Sequence, residues 1–297
     1  MNKNKILLDS NRKYQVKLST RTSETIGCVH FLHGLMEDIT MYEPLENFLN
    51  THGYQTILQE IPGCGNMKDL TDWTFQEIER QIVEIMQEWK TEGQPYFLAG
   101  FSLGSFLIRD ALSKQLLNKD HTDLTGVILI GTGNKSLPEL LIGKALAKSR
   151  IDRYGRDNTT GVVDDLLLDN YNRAFPEPGG HKFRWLYKDA KARNAFKPGQ
   201  PVTPGFFLEL LEAMQRSQKD IGTLRSTPML LLSGEDDPVT KNLPKLAHWF
   251  QNRGAGPITS LEIKNGRHAI LNDACKTETF QALLNFLNLY NDTLPIR

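Results

Sequence analysis

Three cysteines, Cys28, Cys64 and Cys275, are too few, too scattered and odd in number to form a disulfide framework in a chain of 297 residues. No C-x-x-C pair or other metal-ligand spacing occurs, so no zinc site is expected and neither a metal nor an organic cofactor is implied. An excess of charge is also missing. Thirty-five basic residues balance 35 acidic ones and no basic block stands out, which argues against a nucleic-acid surface. No apolar run approaches the roughly 18 residues of a membrane span. The opening Met1 to Asp9 has no long apolar core and no small-residue cleavage site, so no signal peptide and a cytoplasmic location are expected. Internal repeats and low-complexity tracts are absent. The ordinary hydrophobic content of 39% fits a globular chain long enough for one large domain or two small ones.

What is present is an alternation of strand and helix patterns. Lys5 to Leu8 and Tyr14 to Leu18 read as two edge strands, and Cys28 to Leu32 as a continuous apolar run typical of a buried strand. A helix pattern at Tyr42, Leu45, Phe48 and Leu49 closes at Gly53, and Tyr54 to Ile61 is the next strand. Thr74 suits a helix N-cap before Ile78, Ile82, Ile85, Met86 and Trp89. Tyr96 to Gly100 and Leu124 to Ile130 continue the rhythm, which predicts a parallel sheet. From Asn134 to about Ser226 the rhythm breaks. Helix candidates occupy Leu137 to Ala147 and Phe206 to Met214, the stretch Arg173 to Pro204 is loop-rich, and no strand pattern is found. Strands resume at Met229 to Leu232 and Leu261 to Ile263, with a helix around Leu243 to Phe250 between them and a last helix over Thr277 to Tyr290. The division expected is a core of residues 1–133, a helical cap of 134–226 over the carboxyl ends of the strands, and the rest of the core in 227–297.

The stretch Gly100-Phe101-Ser102-Leu103-Gly104 ends one strand and opens a helix marked by Phe106, Leu107, Ala111, Leu112 and Leu116. Strand, G-x-S-x-G and helix form a nucleophile elbow. Ser102 sits in a strained turn that lifts its hydroxyl above the sheet, and Gly100 and Gly104 leave room where strand and helix crowd. A helper base and acid should follow in the order serine, acid, histidine. Ser233-Gly234-Glu235-Asp236-Asp237-Pro238 offers three acids after the penultimate strand. Asp237 is chosen because it stands at the tip of the turn with Pro238 holding it extended, and Asp236 is the second candidate. His268 follows the last strand and is the candidate general base. The oxyanion hole would use the backbone N–H groups of Leu103 and of Leu35, the latter just after His33-Gly34. Gly34 admits a close backbone turn, and His33 is expected to support the loop. Cys64 is read as a small loop residue, since no second base is placed for it.

These motifs resemble the monoglyceride lipase and lysophospholipase-like branch of the α/β-hydrolases, of the serine aminopeptidase S33 type. The resemblance rests on His33 to Glu37, the Ser102 elbow, Gly131-Thr132-Gly133, Ser233 to Val239, Gly266-Arg267-His268 with Leu271-Asn272-Asp273, and the segment Phe183 to Asp189. It implies an α/β-hydrolase fold: a mostly parallel eight-stranded sheet flanked by helices with an inserted helical cap. Departures are Phe101 where the family often has histidine, Ser105 where glycine is usual, Pro62-Gly63-Cys64-Gly65 after the fourth strand, and Ala269 after the histidine.

The activity expected is hydrolysis of a small-molecule carboxylic ester through an acyl-enzyme. The resemblance and the apolar Leu137, Leu140, Leu141 and Leu146 point to a lipid-derived or medium-chain acyl group of the monoacylglycerol or lysophospholipid type. The same leucines would serve equally to pack a cap on the core. Two other readings are kept. An aminopeptidase would need acids for a free amine, for which Asp164, Asp165, Glu209 and Glu212 are available, and a binding protein would keep the fold with little turnover.

Overall fold

The computed structural model describes residues 5–8, 15–61, 74–117, 124–159, 170–176, 181–221, 224 and 227–291. Cys64, Asp164 and Asp165 lie outside the described residues. Eight strands form one sheet: β1 (Lys5–Leu8), β2 (Gln15–Leu18), β3 (Gly27–Leu32), β4 (Tyr54–Gln59), β5 (Tyr96–Phe101), β6 (Gly126–Ile130), β7 (Met229–Gly234) and β8 (Ile258–Ile263). The spatial order is β1-β2-β4-β3-β5-β6-β7-β8. The pairs β1–β2 and β2–β4 are antiparallel, and every pairing from β4 through β8 is parallel. This is the α/β-hydrolase fold.

Strands β3 to β7 are buried along their whole length, which is why β5, β6 and β7 read as nearly continuous apolar runs, while β3 and β4 also bury His30, Gln55, Thr56 and Gln59. Leu32, Ile57, Leu98, Leu129 and Leu231 are fully enclosed, and each such side chain contributes about 1.5–3 kcal/mol by leaving water. His30 is buried in β3 with both ring nitrogens engaged, Nε2 by Gln59 and Nδ1 by the Tyr96 hydroxyl. Burial holds its pKa down to about 4.

The helices are α1 (Glu43–Thr51), α2 (Phe75–Trp89), α3 (Leu103–Ser113), α4 (Leu137–Tyr154), α5 (Ala190–Ala195), α6 (Pro204–Ser217), α7 (Leu243–Gln251) and α8 (Lys276–Asn291). Thr74 caps α2 and forms a reciprocal capping box with Glu77. Pro244 falls in the first turn of α7. Strand β8 begins at Ile258 and α6 spans Pro204–Ser217, both longer than expected, and two helices differ more. Helix α4 runs to Tyr154 because Gly155, with φ of 89°, is what stops it. Helix α5 lies in the stretch read as loop. Its sequence Ala-Lys-Ala-Arg-Asn-Ala has no apolar stripe, and Asp189 starts it by accepting the Ala192 N–H.

Among the described residues no strand lies between β6 and β7. That interval instead carries α4, α5 and α6, with α6 packed on both α4 and the elbow helix α3. No described helix is long and apolar enough to cross a membrane.

Candidate active site

The parallel strands β3 to β8 put the loops that follow them at one edge of the sheet, and the sequence-predicted residues come from four of those loops. Ser102 follows β5 with φ of 48° and ψ of −111°, a conformation that costs a side-chain-bearing residue on the order of 1–3 kcal/mol. Its N–H donates to the Ile130 carbonyl at 2.8 Å, and Ser105 Oγ donates to the Ser102 carbonyl at 2.6 Å, so both sides of the strained unit are held. The flanking glycines are required by contact. A Cβ on Gly100 would stand 2.5 Å from the Gly104 carbonyl carbon, and one on Gly104 would stand 2.4 Å from the Leu32 carbonyl oxygen.

His268 Nε2 lies 2.8 Å from Ser102 Oγ, and its Nδ1 lies 2.9 Å from Asp237 Oδ1. Asp237 accepts further bonds from the Val239 N–H at 2.8 Å and from the Thr240 hydroxyl at 2.9 Å. Burial alone would raise the Asp237 pKa. The adjoining imidazole, with these two donors, outweighs it and holds the carboxyl below its ordinary value. Asp236 turns the other way, half-exposed, with Lys188 Nζ at 3.9 Å. Glu235 faces Asn265 and accepts its N–H at 3.1 Å.

The loop after β3 contributes to the same site. Leu35, Leu103, Glu37 and Phe101 join Ser102 and His268 in the wall of one cavity of about 400 Å³. Among the described residues, neither the Leu35 nor the Leu103 N–H donates to a protein acceptor. The Gly104 N–H ties the two segments by donating to the His33 carbonyl at 3.1 Å. His33 is fully buried. Its Nε2 accepts the Ile61 N–H at 2.9 Å, so Nδ1 carries the proton and donates to the Gly34 carbonyl at 2.7 Å. Burial works to lower the His33 pKa, but Glu60, the Gly34 carbonyl and Glu37 outweigh it and raise the value.

The cavity extends away from Ser102 between α4 and α6, where Leu140, Leu146, Leu210, Leu211 and Met214 line it. The leucines of α4 divide. Leu140 is buried, whereas Leu137, Leu141 and Leu146 are 44–55% exposed. Sequence periodicity could not separate these roles, because a helix face turned to a cavity carries the same residues as one turned to a core.

One contact had no signal in the sequence. Trp185 stacks on the His268 ring, with centroids 5.0 Å apart and planes 28° apart, while Phe101 closes the other approach at 4.9 Å. Asp273, in the loop after His268, accepts the N–H groups of Lys188 at 2.6 Å and Asp189 at 3.0 Å. Arg267 donates to the Arg184 carbonyl at 2.6 Å. The segment Phe183 to Asp189 is thereby clipped to the histidine loop. Of the acids considered for an amine substrate, Glu209 instead accepts the Phe75 N–H at 2.7 Å and pairs with Arg156, and Glu212 is not in the cavity wall.

A family model described as serine aminopeptidase, S33, matches residues 23–274. The monoglyceride lipase of Saccharomyces cerevisiae is 23% identical over 269 residues, covering 84% of this chain and 79% of that protein. A thermostable carboxyl esterase from Bacillus coagulans, solved in complex with glycerol, superposes with a TM-score of 0.79 at 21% identity over 98% of this chain and 99% of that one. A lipase in its open form gives a TM-score of 0.78 at 14% identity over 98% and 100%.

Proposed function

The chain belongs to the serine aminopeptidase S33 family of α/β-hydrolases, and within that family we propose that it is a serine hydrolase of carboxylic esters. One observation carries the reading: Ser102, on a strained elbow, is hydrogen-bonded to His268 and through it to Asp237, at the floor of an apolar-walled cavity.

The chemistry follows from the geometry. His268 Nε2 takes the hydroxyl proton as Ser102 Oγ attacks the ester carbonyl. Asp237 keeps the other imidazole proton on Nδ1 and stabilises the imidazolium as it forms. Negative charge gathers on the carbonyl oxygen, and the Leu35 and Leu103 N–H groups receive it. The tetrahedral intermediate collapses, the ester C–O bond breaks, and His268 returns the proton to the departing alcohol. A water, deprotonated by His268, then attacks the acyl-Ser102 ester and releases the acid.

The acyl group is lipid-derived or of medium length, carried on an alcohol of the monoacylglycerol or lysophospholipid type. The leucine and methionine walls between α4 and α6 support this, and a monoglyceride lipase and a lipase stand among the similar proteins. The helices between β6 and β7 act as the cap that shapes this acyl channel. An aminopeptidase gets less support from the acids in the wall. Among the described residues these are Glu37 and Glu139, and Glu139 caps α4 and faces Lys241.

Hydrolysis of p-nitrophenyl esters of increasing acyl length tests the proposal, with Ser102→Ala alongside. Activity should peak at a medium chain and fall by on the order of 10⁴-fold or more in the variant. An optimum at acetyl esters would remove the long-acyl assignment. Turnover of aminoacyl-anilides in place of esters would favour the peptidase.

A further inference from the structure

The loop that brings Leu35 to Ser102 is braced by a carboxylate outside the triad. Glu37 is 2% exposed. Its Oε2 accepts two donors, the Gly34 N–H at 2.9 Å and the Tyr42 hydroxyl, while Oε1 has no partner among the described residues. Tyr42 ends the 3-10 turn Ile39–Tyr42 that leads into α1, so this bond ties the loop to the next element. Between Leu35 and Glu37, Met36 adopts φ of 61°, a left-handed conformation unusual for a side-chain-bearing residue. Such a conformation persists only where the surroundings over-determine it. Glu37 supplies one constraint, and the Gly199 N–H supplies another by donating to the Met36 carbonyl at 2.8 Å.

The Gly34 residue is therefore held at both of its peptide groups. Glu37 holds its N–H, and His33 Nδ1–H holds its carbonyl. The peptide unit is planar and trans, so the direction of the Gly34 carbonyl fixes the opposed direction of the Leu35 N–H in the same plane. No slack remains around Gly34. A Cβ there would stand 2.5 Å from Glu37 Oε2 and 2.9 Å from the Phe101 ring.

We propose that Glu37 is a positioning residue for the oxyanion hole: by clamping the Gly34 N–H and linking it to Tyr42, it presets the Leu35 N–H toward the substrate oxygen. The proposal rests on the assignment of Ser102 as nucleophile. Glu37 acts through the backbone and does not touch the reacting atoms. What it contributes is one oxygen that accepts two donors. A glutamine amide oxygen in that place keeps both bonds, with its NH₂ where Oε1 now stands unpartnered, whereas leucine keeps neither.

The test compares Glu37→Leu, Glu37→Gln and Tyr42→Phe with the wild type. Three quantities are read: the rate at which a fluorophosphonate labels Ser102, kcat and KM on p-nitrophenyl esters, and the melting temperature. Phosphonylation, like ester attack, places a charged oxygen in the hole, so it reports the same donor whatever the natural substrate is. In Glu37→Leu, labelling rate and kcat should both fall about 100-fold with KM little changed, the scale of a lost or displaced oxyanion donor. Glu37→Gln should stay within about fivefold of wild type, and Tyr42→Phe should fall between them. If Glu37→Leu does not fold, Glu37→Asp withdraws the carboxylate by one methylene and carries the same expectation. A folded Glu37→Leu or Glu37→Asp that labels and turns over at the wild-type rate overturns the inference. So does a loss confined to KM, or a glutamine variant as slow as the leucine one. A wild type whose Ser102 is not labelled at all removes the nucleophile assignment, and with it this proposal.

Discussion

Ser102 and Asp237 illustrate how far single positions can be read. The elbow glycines and the order serine, acid, histidine were visible in the chain, because each glycine meets a backbone at under 3 Å and nothing larger fits. The choice between Asp236 and Asp237 turned on Pro238. In the structure Asp237 is buried against His268 and Asp236 is half-exposed beside Lys188. Asp237→Asn should lower kcat by on the order of 10⁴-fold by stabilising the wrong imidazole tautomer, whereas Asp236→Asn should leave it unchanged. Steady-state kinetics on the two variants decides the matter. What could not be read was the stack of Trp185 on His268. The two residues are far apart in sequence, and a tryptophan in a loop-like stretch carries no sign of its partner.

At the scale of elements, the helical interval between β6 and β7 was legible as a break in the strand rhythm, but its packing on α3 was not. Helix α6 is fixed to α3 by Arg216, which grips both carboxylate oxygens of Asp110 at 3.0 and 2.7 Å. Asp110 also meets Lys114 at 3.0 Å, and Lys114 reaches Glu79 of α2 at 2.6 Å. Burial and the neighbouring Asp110 push the Glu79 pKa up to about 8, while the cations keep Asp110 below its ordinary value. The folded state thus holds a proton on Glu79 that the unfolded chain gives up above about 4.5. The sign follows: stability falls as pH rises through that window toward 8 and flattens beyond it. Melting temperatures taken between about pH 5 and pH 8 should decline more steeply in the wild type than in Glu79→Gln. Equal slopes would show that Glu79 does not carry the linkage. Helix α4 gives a second expectation. Leu146→Asp places a charge in the α4 wall of the cavity, so under the proposed function kcat/KM for a long-chain ester should drop about tenfold, the loss of one or two methylene contacts. A butyryl ester should be hydrolysed as before.

For the whole molecule, the sheet order does the assembling. Parallel pairing of β3 through β8 brings the loops that follow these strands to one edge, so residues spread from His33 to His268 meet in one place. This much was legible, since continuous apolar runs alternating with amphipathic helices leave little choice but a parallel sheet. The full length of α4 and the presence of α5 were not, because the end of the one and all of the other bury no residue and carry no clear apolar stripe. A cavity of about 400 Å³ walled in part by α4 and α6 lies in the range of small-molecule sites. The central claim is that Ser102 carries the acyl group during turnover. Rapid acid quench of the protein during hydrolysis of p-nitrophenyl octanoate, followed by peptide mass mapping, tests it directly. The account predicts an octanoyl group on the peptide containing Ser102 and its absence from Ser102→Ala. An octanoyl group on another residue, or full turnover by Ser102→Ala, would contradict it.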